Sequence, residues 1–149
     1  MSVELREITR ATVLDIVRLD AGDDRRQVAP NAVSIAQAHF EPAAWFRAVY
    51  AGGQPVGFVM LDDPTLAAAP ESPHFYLWRL MIDKDHQGRG YGHAAVERVI
   101  EHVRTRPGAT ELRVSHVPGA QGLARFYRSL GFRYTGEEED GELVMARAL

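Results

Sequence analysis

The sequence contains no cysteine, and this absence excludes disulfide bonds, thiolate metal ligands and a cysteine nucleophile. No apolar run approaches the roughly 18 residues that a membrane helix needs. The charged start of the chain, MSVELREITR, lacks the apolar core of a signal peptide. We therefore expect no membrane partner, and the absence of cysteine suits a reducing cytoplasm.

Basic charge is also scarce. The formal net charge of the 149 residues is -3, and the 17 lysines and arginines form no basic stripe. Nucleic-acid binding depends on such a stripe, because the cations must displace counterions from the phosphates. Nucleic acid is accordingly not an expected partner.

The composition that remains is typical of a globular protein, with 46% hydrophobic and 25% charged residues. The length fits one domain, residues 1–149, and no internal repeat or low-complexity linker divides it. Apolar periodicity predicts one strand, two helices, three strands, a helix, a strand, a helix and two strands. This order indicates a mixed α/β or α+β sheet in one layered domain.

The clearest elements lie in the middle of the chain. The stretch Phe75–Ile82 is nearly all apolar and predicts a central strand covered on both faces. Residues 91–105 predict an amphipathic helix with its charged residues turned outward. The predicted buried stripe is Val96, Val99, Ile100 and Val103, and the predicted outward residues are Glu97, Arg98, Glu101 and His102.

Between that strand and that helix lies 87-QGRGYG-92, with glycine at three alternate positions. The first N–H groups of a helix have no partner within it and carry the positive end of the helix dipole, so they favour an anion. Glycine permits a positive φ and a close approach of the ligand to the backbone. Arg89 adds a positive charge. The loop predicts a phosphate or pyrophosphate ligand, and the alternative is a tight turn that binds nothing.

Two familiar phosphate-binding patterns do not fit this loop. The dinucleotide pattern requires a third glycine at the sixth position, and counting from Gly88 that position is His93. The phosphate-loop pattern that ends in Gly-Lys-Ser/Thr is absent from the sequence. A nucleotide-binding protein is therefore disfavoured.

The loop does resemble that of one family. The stretch 80-LMID-83 followed by 87-QGRGYG-92 matches the Gln/Arg-x-x-Gly-x-Gly/Ala acetyl-CoA loop of the GNAT acetyltransferase superfamily. The segment 126-FYRSLGF-132 is similar to that family's Tyr-x-x-x-Gly-Phe segment, and the resemblance covers essentially the whole chain. A closer resemblance is to the bacterial spermine/spermidine (diamine) N-acetyltransferases. It rests on 77-LWRLMID-83, 28-VAPNAVSIAQA-38 and 135-TGEEEDGE-142.

The resemblance implies a single GNAT-like domain with a mixed, mostly antiparallel sheet and about four flanking helices. Two neighbouring parallel strands, residues 75–82 and 110–116, would splay apart. The implied activity is transfer of acetyl from acetyl-CoA to a primary amine of a small molecule, with a polyamine as one acceptor. The alternatives are a non-catalytic acetyl-CoA sensor and an enzyme acting on a peptide, protein or antibiotic amine. A homodimer is expected from base rates alone.

The resemblance also implies the cofactor contacts. Backbone groups of Leu80, Met81 and Ile82 would bind the pantetheine arm as an additional strand. The Met81 N–H would polarise the thioester carbonyl. The pyrophosphate would lie on the backbone of Gln87, Gly88, Arg89, Gly90, Tyr91 and Gly92.

Tyr127 is the side chain that the resemblance makes catalytic. Its hydroxyl would donate a proton to the departing CoA thiolate as a general acid. The alternative is a packed aromatic residue on an apolar helix face. The family often places an asparagine about seven residues before this tyrosine, and this chain has Ala120 there.

On the acceptor side the sequence identifies no general base. Alternation along the strand puts Arg79 on one face with Leu77 and Met81, and a buried arginine needs either an ion-pair partner or a substrate. Glu41, His74 and His116 are further candidates for contact with the acceptor. A polyamine would need carboxylates, and those available are Asp20, Asp23, Asp24, Glu41 and the run Glu137–Asp140.

A metal site is not predicted. His93, Glu97 and Glu101 are four apart on one helix face, as metal ligands are in some proteins. A solvated charged face explains this spacing better, and the transfer reaction requires no metal.

Overall fold

The computed structural model describes residues 2–22 and 28–149, and the elements in them follow the predicted order. The predicted polar bend at residues 20–27 falls mostly on residues 23–27, which lie outside the described residues. The elements are β1 (Glu4–Arg6), α1 (Val13–Val17), α2 (Asn31–Phe40), β2 (Ala44–Ala51), β3 (Gln54–Asp62), β4 (Phe75–Ile82), α3 (Tyr91–Arg104), β5 (Glu111–His116), α4 (Gln121–Ser129), β6 (Arg133–Glu139) and β7 (Glu142–Ala148).

The strands form one mixed sheet in the order β1-β2-β3-β4-β5-β7-β6. Every neighbouring pair is antiparallel except β4 and β5, which are parallel. This confirms the predicted α+β architecture with its mostly antiparallel sheet. In the described part of the chain, no helix combines the length and the apolar character needed to cross a membrane.

The parallel pair separates almost as soon as it forms. β4 and β5 are paired only at Phe75 with Leu112 and at Tyr76 with Arg113. Beyond these two pairs, β4 continues alongside β3 to Ile82, and β5 continues alongside β7 to His116. Each strand therefore has one unpaired edge, and a wedge-shaped gap opens toward the loop at residues 87–92. The predicted splay is confirmed.

The helices cover the two faces of the sheet. The predicted stripe of α3 (Val96, Val99, Ile100 and Val103) is completely buried. It packs in one core with residues of the sheet and of α4. α1 and α2 cover the opposite face, where Ile16 packs with Phe58 and Met60. The outward position predicted for His102 is wrong, because its ring stacks on Trp45 with the ring centroids 4.0 Å apart.

A β-bulge in β4 changes which face its residues occupy. Met60 pairs with Arg79 and Leu61 with Leu77, so Trp78 is an extra residue on β4. Leu77 therefore packs in the α3 core, whereas Met81 packs in the α1–α2 core. The prediction that Arg79 shares a face with Leu77 is wrong, because simple alternation does not continue through a bulge.

The bulge also limits how far β4 is covered. Phe75 and Leu77 are buried as predicted, but Trp78 is 36% exposed. Arg79 and Leu80 are partly exposed as well. Tyr76 is also partly exposed, whereas Met81 is buried, so the prediction of a strand covered on both faces holds only in part. The second half borders the gap that β5 leaves.

Candidate functional site

A groove of about 560 Å³ lies at the open end of the gap between β4 and β5. The end of β4, the glycine loop, the start of α3 and one face of α4 form its walls. The lining residues are Ala21, Val28, Leu80, Met81, Ile82, His86, Gln87, Gly88, Gly90, Tyr91, Gly92, His93, Gly122, Leu123 and Phe126. The groove thus brings together all the predicted cofactor residues except Arg89, which is exposed.

Two glycines of the loop have the backbone conformation that the sequence predicts. Gly88 has a φ of +76° and Gly90 a φ of +82°, and Gly90 is the N-cap of α3. Residues with a Cβ rarely adopt such backbone angles. Gly92 belongs to α3 and does not have a positive φ. The loop therefore leads directly into a helix N-terminus whose first N–H groups border the groove.

The Gln87 side chain fixes the start of this loop. Its Nε2 donates to the carbonyl oxygen of Ala21 and to that of Ile82, each at 2.9 Å. The side chain thus ties β4, the loop and the segment after α1 together. No local sequence pattern indicates this role, because Ala21 is 66 residues away along the chain.

Asp83 supports the same junction from the other side. Its carboxylate accepts hydrogen bonds from the backbone N–H of Asp20 at 2.9 Å and from that of Asp85 at 3.2 Å. It also lies 3.1 Å from His86 Nδ1. Burial alone would raise the pKa of Asp83, but these bonds outweigh burial and lower it.

The lowered pKa of Asp83 makes the stability of the fold depend on pH under acid conditions. The ionised Asp83 stabilises the fold fully above its ordinary pKa of about 3.9 and loses this effect as the pH falls through the lower folded value. We expect Asp83→Asn to reduce the free energy of unfolding by about 1–3 kcal/mol at pH 7. Urea denaturation at pH 7 and pH 3 measures this. A difference between wild type and variant that does not shrink at pH 3 contradicts the prediction.

Tyr127 belongs to α4, and its side chain is buried in the core. It is 8% exposed, and its ring packs edge-on against Phe126 and Phe132 at centroid distances of 5.1 and 5.4 Å. Burial raises the pKa of Tyr127, so its hydroxyl stays protonated at neutral pH but is a weaker acid than an ordinary tyrosine. The groove itself is lined by the neighbouring Leu123 and Phe126 and not by Tyr127. The catalytic role of Tyr127 stays a prediction.

Arg79 lies on the α2 face of β4. Its Nη1 donates to Gln37 Oε1 at 2.9 Å and to Ser34 Oγ at 3.2 Å, both on α2. Its guanidinium carbon lies 5.2 Å from the centre of the Trp78 ring. No carboxylate within residues 2–22 and 28–149 pairs with it, so the predicted structural ion pair is wrong for the described chain. Burial lowers the pKa of Arg79.

His116 is buried and uses both ring nitrogens. Nδ1 lies 2.7 Å from the Val117 carbonyl oxygen, so it carries the proton and donates. Nε2 therefore accepts from the Tyr134 hydroxyl, 2.8 Å away. His116 has no free nitrogen for an acceptor amine in this arrangement.

The described carboxylates considered for a polyamine lie in three places. Asp20, after α1, pairs with Lys84 at 3.6 Å. Glu41 is exposed just after α2, and its charge adds to burial in raising the pKa of Asp62. On the terminal hairpin, Glu137 pairs with Arg113 at 2.9 Å and Glu139 accepts from the Tyr76 hydroxyl at 2.8 Å. Glu137 and Glu139 therefore already have partners within the protein. Asp23 and Asp24 lie outside the described residues.

The charged residues on α3 are engaged in ion pairs. Glu97 pairs with Arg147 at 3.2 Å, and Glu101 pairs with Arg98 at 2.9 Å. Across the described residues, no three His, Asp or Glu side chains converge in a way that could hold a metal ion. Glu97 and Glu101 are thus held by arginines, the first on β7 and the second on α3 itself.

Comparison with known proteins shows which family the chain belongs to. The model of the acetyltransferase (GNAT) family matches residues 12–132, and the chain belongs to that family. It is an acetyltransferase that uses acetyl-CoA. The chain is 25% identical, over 100% of both chains, to a protein of Bacillus subtilis subsp. natto (strain BEST195) named "Probable spermine N(1)-acetyltransferase".

Two solved structures share the fold. A GNAT family acetyltransferase from Elizabethkingia anophelis with acetyl-CoA bound has a TM-score of 0.65 at 13% identity, over 99% of this chain and 97% of that chain. AAC(6')-Ib in complex with ribostamycin and coenzyme A has a TM-score of 0.77 at 17% identity, over 99% and 94% of the chains. At these identities the likeness concerns the fold alone.

Proposed function

We propose that this enzyme transfers the acetyl group of acetyl-CoA to a primary amine of a small molecule, with residues 1–149 acting as one domain. The observation that carries the proposal is the early separation of β4 from β5, which leaves an unpaired edge of β4 leading to the glycine loop. Backbone groups of Leu80 and Ile82 are suited to bind an extended pantetheine arm there, whereas those of Met81 face β3. The N–H groups at residues 87–92 would hold the pyrophosphate.

In the proposed reaction the amine nitrogen attacks the thioester carbonyl and a C–N bond forms. The carbonyl oxygen becomes an oxyanion, which a backbone N–H on the free edge of β4 would stabilise. The prediction that Met81 supplies this N–H is wrong, because Met81 pairs with Phe58 and its backbone faces β3. The N–H groups of Leu80 and Ile82 face the gap instead. The C–S bond then breaks and the sulfur gains a proton from Tyr127. The nitrogen loses a proton to water, and Tyr127 regains one from water, so the enzyme returns to its starting protonation state. A thiol has an ordinary pKa of about 8.5, below that of tyrosine, and burial raises the pKa of Tyr127 further. Proton transfer from Tyr127 to sulfur is therefore uphill, and it would take place only together with the breaking of the C–S bond, as negative charge develops on sulfur.

The name of the Bacillus relative makes a polyamine the first acceptor class to test. Exposed carboxylates such as Glu41 would suit a cationic acceptor. A cytoplasmic location and a homodimer stay predictions from the sequence.

Ligand stabilisation and CoA release together test the proposal. We expect acetyl-CoA, but not ATP or NAD, to raise the melting temperature, because a ligand at 100 times its Kd stabilises the fold by about 2.7 kcal/mol. We also expect CoA release with at least one class among polyamines, aminoglycosides, amino acids and short peptides. Stabilisation by acetyl-CoA with no CoA release from any of them would argue for a sensor and against the proposal.

A further inference from the structure

Arg79 is half-buried next to the cofactor groove. No carboxylate among the described residues pairs with its guanidinium. Other partly buried arginines have carboxylate partners: Arg106, just after α3, pairs with Asp63, and Arg113 on β5 pairs with Glu137. Arg79 is held instead by the neutral Ser34 and Gln37. The cost of removing its charge from water is therefore not offset by any anion among the described residues.

The hydrogen bonds of Arg79 leave one edge of its guanidinium open. Both described bonds come from Nη1. Nε and Nη2 donate to no residue in the described ranges. These two nitrogens form the edge whose parallel N–H groups match the two oxygens of a carboxylate.

The surroundings hold this edge in place before any ligand binds. Ser34 is completely buried, so the partner of Nη1 is fixed on α2. The Trp78 ring lies against the guanidinium, and Trp78 is the extra residue of the bulge that turns Arg79 to this face. A side chain that is already oriented loses little conformational entropy on binding.

The position along β4 relates this edge to the proposed reaction. Leu80, the next residue, lines the groove where the pantetheine arm would lie. The strand advances about 3.3 Å per residue, so the backbone of Arg79 lies about 7 Å or less from that of Met81. With the pyrophosphate at residues 87–92, the acetyl end of the cofactor would point toward Arg79. A carboxylate on Arg79 thus lies within the length of one small molecule from the acetyl group.

We infer that the acceptor carries a carboxylate in addition to its amine, and that the Nε and Nη2 edge of Arg79 binds this carboxylate. The inference rests on the proposed function, since it names the substrate class for the same site. It favours amino acids and related amino carboxylates over polyamines, which have no anionic group to offer.

Matched acceptor pairs that differ only by a carboxylate test the inference. These are lysine with 1,5-diaminopentane and ornithine with 1,4-diaminobutane, with CoA release as the readout. We expect the wild type to show a higher kcat/KM for the amino acid of each pair, by about 30-fold, the effect of a charge-assisted hydrogen-bonded pair. Arg79→Gln should remove this preference by lowering kcat/KM for the amino acid and not for the diamine.

Two further variants separate binding from structural effects. Arg79→Lys keeps the positive charge but loses the two parallel N–H groups of Nε and Nη2. It should therefore retain only part of the preference for the amino acid. Arg47→Gln is the matched control, because Arg47 is also half-buried in the sheet but lies against Trp45, away from the groove. It should keep the preference. Equal loss for both members of a pair in Arg79→Gln, or a wild type that prefers the diamines, overturns the inference.

Product binding tests the inference even if no amine in the panel releases CoA. The absence of CoA release would itself count against the proposed function. N6-acetyllysine and N-acetyl-1,5-diaminopentane are compared as stabilising ligands of the CoA-bound enzyme. Greater stabilisation by N6-acetyllysine that disappears in Arg79→Gln supports the inference. Equal stabilisation by the two compounds, or a difference that persists in the variant, overturns it.

Discussion

Replacing Tyr127 with phenylalanine is expected to lower kcat by about 10²-fold, at the low end of the range for general-acid catalysis. The physical reason is that the CoA thiolate would then depart without a proton donor. The KM for acetyl-CoA should change little, because the proposed cofactor contacts are made by the backbone of β4 and the loop. Steady-state kinetics with the best acceptor measures both quantities.

Stability provides the first control for Tyr127→Phe. The ring packs between Phe126 and Phe132, and phenylalanine keeps that packing. The hydroxyl donates to no described residue, so its loss should change the free energy of unfolding by less than about 1 kcal/mol. A larger loss of stability would show that the hydroxyl has a structural role.

Tyr50→Phe provides the matched control for activity. Tyr50 is also a buried tyrosine, at 7% exposure, but it lies on β2 and packs in the α1–α2 core. We expect this variant to retain its kcat. An unchanged kcat in Tyr127→Phe, or an equal loss in both variants, would remove Tyr127 from the proposed mechanism.

The second large effect is expected at the glycine loop. Gly88 has a φ of +76°, and a Cβ built there meets no atom within 4 Å. Valine at this position is therefore opposed by backbone conformation and not by a clash. The loop should relax to a negative φ and turn its N–H groups away from the groove. We expect Gly88→Val to raise the Kd for acetyl-CoA by about 10²-fold, equivalent to losing one or two charge-assisted bonds.

Gly108→Val is a closely matched control for this loss. Gly108 has a φ of +75°, a Cβ there also meets nothing within 4 Å, and it lies beyond the other end of α3. Both variants should lose about 1–2 kcal/mol of stability from the strained backbone. Only Gly88→Val should weaken acetyl-CoA binding in calorimetric titration. Weakened binding in both, or in neither, would contradict a direct role for the loop backbone.

The order of elements and the location of the cofactor groove could be predicted because their signals are local. The apolar run Phe75–Ile82 has the same bounds as β4, and the alternating glycines lie where the chain enters α3. The early separation of β4 and β5 has no local signal. It was expected only because the two sequence motifs resemble those of the family.

The features that were missed depend on partners distant in the sequence. The bulge at Trp78 arises from pairing with β3, and alternation along β4 alone could not reveal it. The same is true of Gln87 bound to Ala21 and of Tyr76 bound to Glu139. The side of the sheet that Arg79 occupies follows from the bulge. The acceptor side was therefore harder to predict than the cofactor side, where backbone conformation dominates.

The two residue pairs that join β4 to β5 also have a mechanical consequence. They divide the sheet into a four-stranded half, β1–β4, and a three-stranded half, β5–β7, with a narrow backbone connection at Phe75 and Tyr76. A cofactor bound along the free edge of β4 would contact both halves and hold them in a fixed relative position. It would also form part of the surface that the acceptor contacts. This geometry favours an ordered reaction in which acetyl-CoA binds before the amine.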